Sequence, residues 1–206
     1  MKKFISLTVI VLLFATITLT SCNIQNTAYS ILGITRYTVS AEEYYSAFNH
    51  VNYTIIYLND NYKSIMSIDY PYQKLEIYDF TEQSNSVYYL NLQTGCRIYK
   101  SNNEWIEDEK IDEDLIKKEN QISLNKYKII GSNNEYDFED LKFDKSTNSY
   151  ILSDERYSGY TPTYYYKFEN GNLISIEIII NTPSSEEKQI ITNIGTTVVD
   201  LPEIKN

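Results

Sequence analysis

Two cysteines, Cys22 and Cys96, and one histidine, His50, are all the thiol and imidazole in this 206-residue chain. A Ser-His-Asp triad would have to use His50, and no G-x-S-x-G pattern presents a serine to it. Cys96 and His50 would form a dyad only if the fold happened to bring them together. Zinc sites of the His and Cys type are excluded by count, and no glycine-rich phosphate loop is present. Paired carboxylates can serve a glycosidase, but 28 Asp and Glu residues make any single pair uninformative. The expectation is a protein that is not an enzyme, with no catalytic residue, no cofactor and no metal.

One stretch tests that last expectation. Seven acidic residues fall between Glu104 and Asp114 in "NEWIEDEKIDEDLIKKENQ". An EF-hand loop needs a glycine at its sixth position and a glutamate at its twelfth. Counted from Asp108 or Asp112, the glycine is missing. Asp112 suits a helix N-cap instead, with Glu113 and Asp114 in the first turn and Lys117 and Lys118 later. A short helix over 112–119 with a solvated acidic face is expected there. His50 falls at the end of a separate helical pattern, where it suits the helix dipole better than catalysis.

Cys22 carries the one chemical handle. It follows Lys2, Lys3 and an uncharged run over residues 4–19, "FISLTVIVLLFATITL". That is the layout of a secretory leader, a little short for a comfortable membrane span. The run ends in Leu19-Thr20-Ser21-Cys22, which resembles the bacterial lipobox at all four positions. The resemblance implies a signal peptide over 1–21, cleavage before Cys22 and a diacylglyceryl group on its sulfur. Two acyl chains anchor a protein stably where one does not. The expected location is extracytoplasmic, on the cell membrane as a lipoprotein. Cys96 is then the sole thiol of the mature chain, without a disulfide partner, and reads as a small apolar core residue.

Losing Lys2 and Lys3 from 18 basic residues leaves 16 against 28 acidic ones, a formal charge of −12. No basic patch suggests nucleic acid. An acidic exterior also resists an anionic bilayer, so the domain is expected to stand off on a polar tether over 22–39, with a single domain over 40–206. The 21 tyrosines are far above ordinary usage. The accompanying wealth of Asn, Ile and Lys hints at an AT-rich genome as one source of that excess.

The elements that must position these residues start at "SAEEYYSAFN". Ser40 and Glu43 have capping-box spacing, and Tyr44, Ala47, Phe48 and Val51 share one helical face, predicting a helix over 41–50. Short β-branched and aromatic runs follow at 53–58, 63–70, 74–80, 86–92 and 96–100, separated by turn residues. Trp105 is expected at the end of the last of these strands. In "TYYYKFENGNLISIEIII", Asn170-Gly171 signals a type I′ hairpin. Tyr164, Tyr166 and Phe168 share one face of the first strand. Ile174, Ile176, Ile178 and Ile180 share one face of the second, with Ser175 and Glu177 opposite. The closing "KQIITNIGTTVVDLP" adds one or two strands, with Gly195 at a bulge or close contact.

The order lipobox, tether, "SAEEYYSAFN" helix, meander with "NEWI", "Y-x-F-x-N-G-N-L" hairpin and "ITNIGTTVVDLP" resembles the small lipoproteins of low-GC Gram-positive bacteria with a LolA/LolB/LppX-like fold. The resemblance covers about residues 40–202 and brings no catalytic residue. It implies an α+β fold: a curved antiparallel half-barrel closed on one face by short helices. It also implies a non-enzymatic role in binding a lipid, acyl chain or other hydrophobic ligand. The candidate cavity-lining residues are Tyr164, Tyr166, Phe168, Ile174, Ile176, Ile178 and Ile180. The alternative is a surface-displayed structural or protein-interaction lipoprotein without a small-molecule ligand. The heavy tyrosine content bears on the choice, because such a cavity can be filled by its own side chains.

Overall fold

The computed structural model describes residues 32–108, 123–130, 136–182 and 185–204. The leader, Cys22 and the acidic helix expected over 112–119 lie outside them. Among the described residues, eleven strands form one open antiparallel sheet in the order β6-β5-β4-β3-β2-β1-β11-β10-β9-β8-β7. One wing is the meander β1 (Tyr53–Leu58), β2 (Tyr62–Asp69), β3 (Tyr72–Asp79), β4 (Ser84–Asn91), β5 (Cys96–Ser101) and β6 (Glu104–Glu107). The other wing is β7 (Lys142–Asp144), β8 (Ser149–Ser153), β9 (Thr161–Glu169), β10 (Asn172–Asn181) and β11 (Glu186–Thr192). β11 returns to pair with β1, Ile191 opposite Ile55, and joins the wings. Trp105 therefore lies on a strand of its own, where it meets Tyr89 edge-on at 5.4 Å.

The helix α1 (Ala41–Ser46) is shorter than expected. Its capping box is present: Ser40 Oγ accepts from Glu43 N–H, and the Glu43 carboxylate accepts from Ser40 N–H. Six residues do not hold a helix by propensity; burial of Tyr44, with Ala47 and Phe48 in the following turn, does. The helix stops at Ser46, so Val51 is exposed and His50 lies outside the helix, past its C-cap Ala47. His50 packs instead at Gly195, where an added Cβ would lie 2.9 Å from its Nδ1. Gly195 is thus a close contact and not a bulge.

The fold also begins earlier than residue 40. Arg36 N–H donates to the Asn170 side chain, and Arg36 C=O accepts from Asn170 N–H. Val39 N–H donates to Tyr150 Oη, which in turn donates to Val39 C=O. The end of the expected tether is therefore fastened to β8 and the β9–β10 turn.

Six adjacent strands, β2 to β8, contribute to the main core on one face. At 4.7–4.9 Å per strand that face is about 24 Å wide, more than the 10–12 Å one helix covers. Residues 123–130 cover the rest. Leu124 and Tyr127 of a 3₁₀ turn (Leu124–Tyr127), with Ile129 and Ile130, bury themselves against the sheet. On the opposite face, residues 193–204 cross β1 and β2 as a strap. Thr197 bonds Thr54, and Val199 N–H donates to Asp69. Val199 caps a smaller cluster with Tyr89 and Ile98. The closing segment thus adds one strand, β11, and then this strap.

Candidate functional site

The β9–β10 hairpin does most to build the site. Asn170 and Gly171 take φ of 50° and 84°, as a type I′ turn requires. Tyr164, Tyr166 and Phe168 face the core, with Ile178 opposite Tyr164 and Ile176 opposite Tyr166. The register slips between Leu173 and Ser175. The slip turns Leu173 inward, with 3% of its surface exposed, and Ile174 outward, with 38%. Ile174 therefore does not belong to the row of Ile176, Ile178 and Ile180, and strict alternation fails at that bulge.

These residues divide into two groups. Tyr166, Phe168 and Ile176 are wholly buried, and the two rings pack against Tyr44 of the helix at 5.5 and 6.0 Å. Phe48 meets Tyr166 at 5.9 Å. This part of the face is filled by its own aromatic side chains. Tyr164, Ile178 and Ile180 instead line a cleft of about 360 Å³ at the far end of the strands, with Pro162, Tyr127, Tyr157, Tyr160, Lys126 and Gln189. Tyr166 is the partition. Its ring stacks on Tyr164 at 6.1 Å, and its hydroxyl donates to Tyr127 C=O at 2.8 Å.

Sequence reasoning missed Tyr127, Tyr157, Tyr160 and Gln189, because segments remote from the hairpin bring them in. Gln189 of β11 faces Ile178 and donates its amide to Tyr127 Oη at 3.0 Å. Tyr157 and Tyr160 stack on each other at 5.2 Å in the β8–β9 loop. Asp154 fixes that loop. Its fully buried carboxylate accepts from Arg156 Nε at 2.7 Å and Nη2 at 2.6 Å, while its N–H donates to Pro162 C=O. Arg156 also lies over Tyr136, whose hydroxyl accepts from Glu155 N–H. The one available signal was "RYSGYTPTY", which sets two tyrosines around a glycine just before a tyrosine-rich strand.

Electrostatically the cleft is a neutral, aromatic surface with one cation at its rim. Burial pushes the Tyr127 and Tyr164 hydroxyls up to about 12, so both stay protonated at neutral pH. Lys126 Nζ stands 4.9 Å over the Tyr127 ring, and desolvation there lowers its pKa although much of the side chain is exposed. Such a surface packs against apolar or aromatic matter and offers hydrogen bonds from Tyr and Gln. Among the described residues no group of three His, Cys, Asp or Glu is placed to hold a metal ion. Cys96, half-buried at the start of β5, is less enclosed than a core residue, and it is remote from the cleft.

The architecture defines a large open antiparallel sheet with few helices. No family model matches the chain, and no curated protein does. Among solved structures the chain is similar to LprF from Mycobacterium bovis, at 7% identity, over 78% of this chain and 96% of that one, with a TM-score of 0.41. A likeness that slight assigns neither a ligand nor an activity.

Proposed function

We propose that this chain is an extracytoplasmic lipoprotein, held on the cell membrane by a diacylglyceryl group on Cys22. In this reading it is a non-enzymatic binding module for a lipid, acyl chain or other hydrophobic ligand. The observation that carries the proposal is the cleft. A floor of Pro162, Ile178 and Ile180 is walled by tyrosine rings, with polar groups contributed by the Tyr127, Tyr157, Tyr160 and Tyr164 hydroxyls, Gln189 and Lys126. Its volume lies at the low end of small-molecule sites, which run about 300–1,000 Å³. Neither chemically reactive side chain, His50 nor Cys96, lines it. The half-barrel of LolA-like proteins expected from the sequence enters as part of the same proposal, supported by the single open sheet with a helix on one face.

The second reading is a surface-displayed structural or interaction lipoprotein without a small-molecule ligand. It is favoured by the closed packing of Tyr166, Phe168 and Ile176. Titration with a fluorescent acyl-chain probe separates the two. Binding at the cleft should be displaceable and micromolar, about −8 kcal/mol. Ile180→Trp, which fills the half-buried end of the floor, should weaken it at least severalfold, while Ile174→Trp should leave it unchanged. No displaceable signal in the starting protein supports the second reading.

A further inference from the structure

The two ends of the sheet differ in a way the proposed function does not use. Tyr53 pairs with Ile68, and β10 runs parallel to β1 across β11, so one end gathers the start of β1, the β2–β3 turn and the β9–β10 turn. Gly195 N–H donates to Asn52 C=O and brings the start of the strap to the same end. The chain enters there too, through the bonds between Arg36 and Asn170. Exposed large apolar side chains occur at both ends, with Leu58, Tyr62, Phe80 and Tyr157 at the far one, but the most exposed of them lie here. Leu32 is 68% exposed, Val51 61% and Val198 70%, and Ile34, Tyr70 and Ile174 join them.

Charge divides the same way. The connections at this end over 49–52, 70–71, 92–95, 170–171 and 193–198 contain no Asp, Glu, Lys or Arg. The exception is the β7–β8 turn, with Lys145. Arg36 and Glu43 pair with each other behind the β9–β10 turn, and Asp69 is bonded to the strap. Glu42, Asp144 and Glu169 lie on the flanking elements. The opposite end, where the cleft opens, carries Asp60, Glu82 and Glu155 in its connections, besides the paired Asp154 and Arg156.

We infer that the end bearing Leu32, Val51, Tyr70 and Val198 rests on the lipid surface that holds the acylated Cys22, and that the cleft points away from it. The inference rests on the lipoprotein reading. Nine residues separate Cys22 from Leu32. Fully extended, ten Cα steps reach about 33–36 Å. The ten residues of β10 alone span about 33 Å. Turning the far end to the bilayer would use the entire tether, whereas the near end needs almost none of it. A sparsely charged end studded with aliphatic and Tyr side chains suits the membrane interface, and the acidic end suits water. On this inference the charge of −12 left after losing Lys2 and Lys3, the ground for expecting a domain that stands off the bilayer, is concentrated away from this end. A cleft aimed outward receives its ligand from the side away from the membrane.

The test uses full-length protein purified from its host, with Cys96→Ser, in phosphatidylcholine vesicles containing a lipid spin-labelled on its acyl chain. Fluorophores are attached through Val198→Cys, Val51→Cys or Phe80→Cys, one per preparation. Labels at Val198 and Val51 should be quenched severalfold more than the label at Phe80, and circular dichroism of each preparation shows whether it is folded. Equal quenching at all three positions, or stronger quenching at Phe80, overturns the inference. The mass of the same sample reports Cys22 independently. An unmodified Cys22 defeats the acylation reading alone: the labels are then placed in a chain that also carries Cys22→Ser, so that one thiol is labelled per preparation, and the quenching comparison in the leader-anchored protein still decides the orientation.

Discussion

Asp154 shows most plainly how single side chains position the cleft. Its carboxylate is wholly buried, and the hydrogen bonds from Arg156 hold it below the usual aspartate range, with the Arg156 charge acting in the same direction. A depressed pKa means that the folded state gains stability while the group is ionised in both states, above about pH 4. That gain is lost as pH falls through the folded value. Asp154→Asn should therefore cost about 1–3 kcal/mol at neutral pH. The gap from wild type should narrow steadily below about pH 4. Denaturant melts at a series of pH values check both the size and the direction. A gap that stays constant into acid would mean that the carboxylate contributes shape and not charge. The variant should also loosen Tyr157 and Tyr160, since their loop is fastened through the same residue.

At the scale of elements, β10 separates what a pattern can tell from what packing decides. Alternation correctly placed Ile176, Ile178 and Ile180 inward and Glu177 outward, where Glu177 pairs with Lys188 on the other face. It misassigned Ile174 and overlooked Leu173, because a bulge consumes one residue without any mark in composition. Leu173→Ala should thus cost about 2–5 kcal/mol, and Ile174→Ala should stay within about 0.5 kcal/mol. Equal losses in thermal or chemical melts would remove the bulge from the account. The capping box at Ser40 and the Asn170-Gly171 turn were legible because their causes are local. The pairing of β1 with β11 was not, since its partners are more than a hundred residues apart. Nor was the burial of 123–130. "SLNKYKII" has no helical or strand period, and its apolar residues find the sheet only after the sheet exists.

For the whole molecule, one face does two jobs. Near the chain's entry it is a closed aromatic core, and about one strand length away it opens into a tyrosine-walled cleft. The cavity-lining set expected from sequence was divided by this gradient: Tyr164, Ile178 and Ile180 at the cleft, Tyr166, Phe168 and Ile176 in the core, and Ile174 outside. The tyrosines that complete the cleft come from a loop and from residues 123–130, so no linear pattern could have assembled them. The claim that this cleft holds a hydrophobic ligand is met most directly by photo-crosslinking with a diazirine-bearing fatty acid, followed by peptide mapping. The account predicts saturable adducts on Tyr157, Tyr160, Tyr164 and Ile180, competed away by unlabelled fatty acid. Adducts that do not saturate, or that map to the strap face of the sheet, would contradict it.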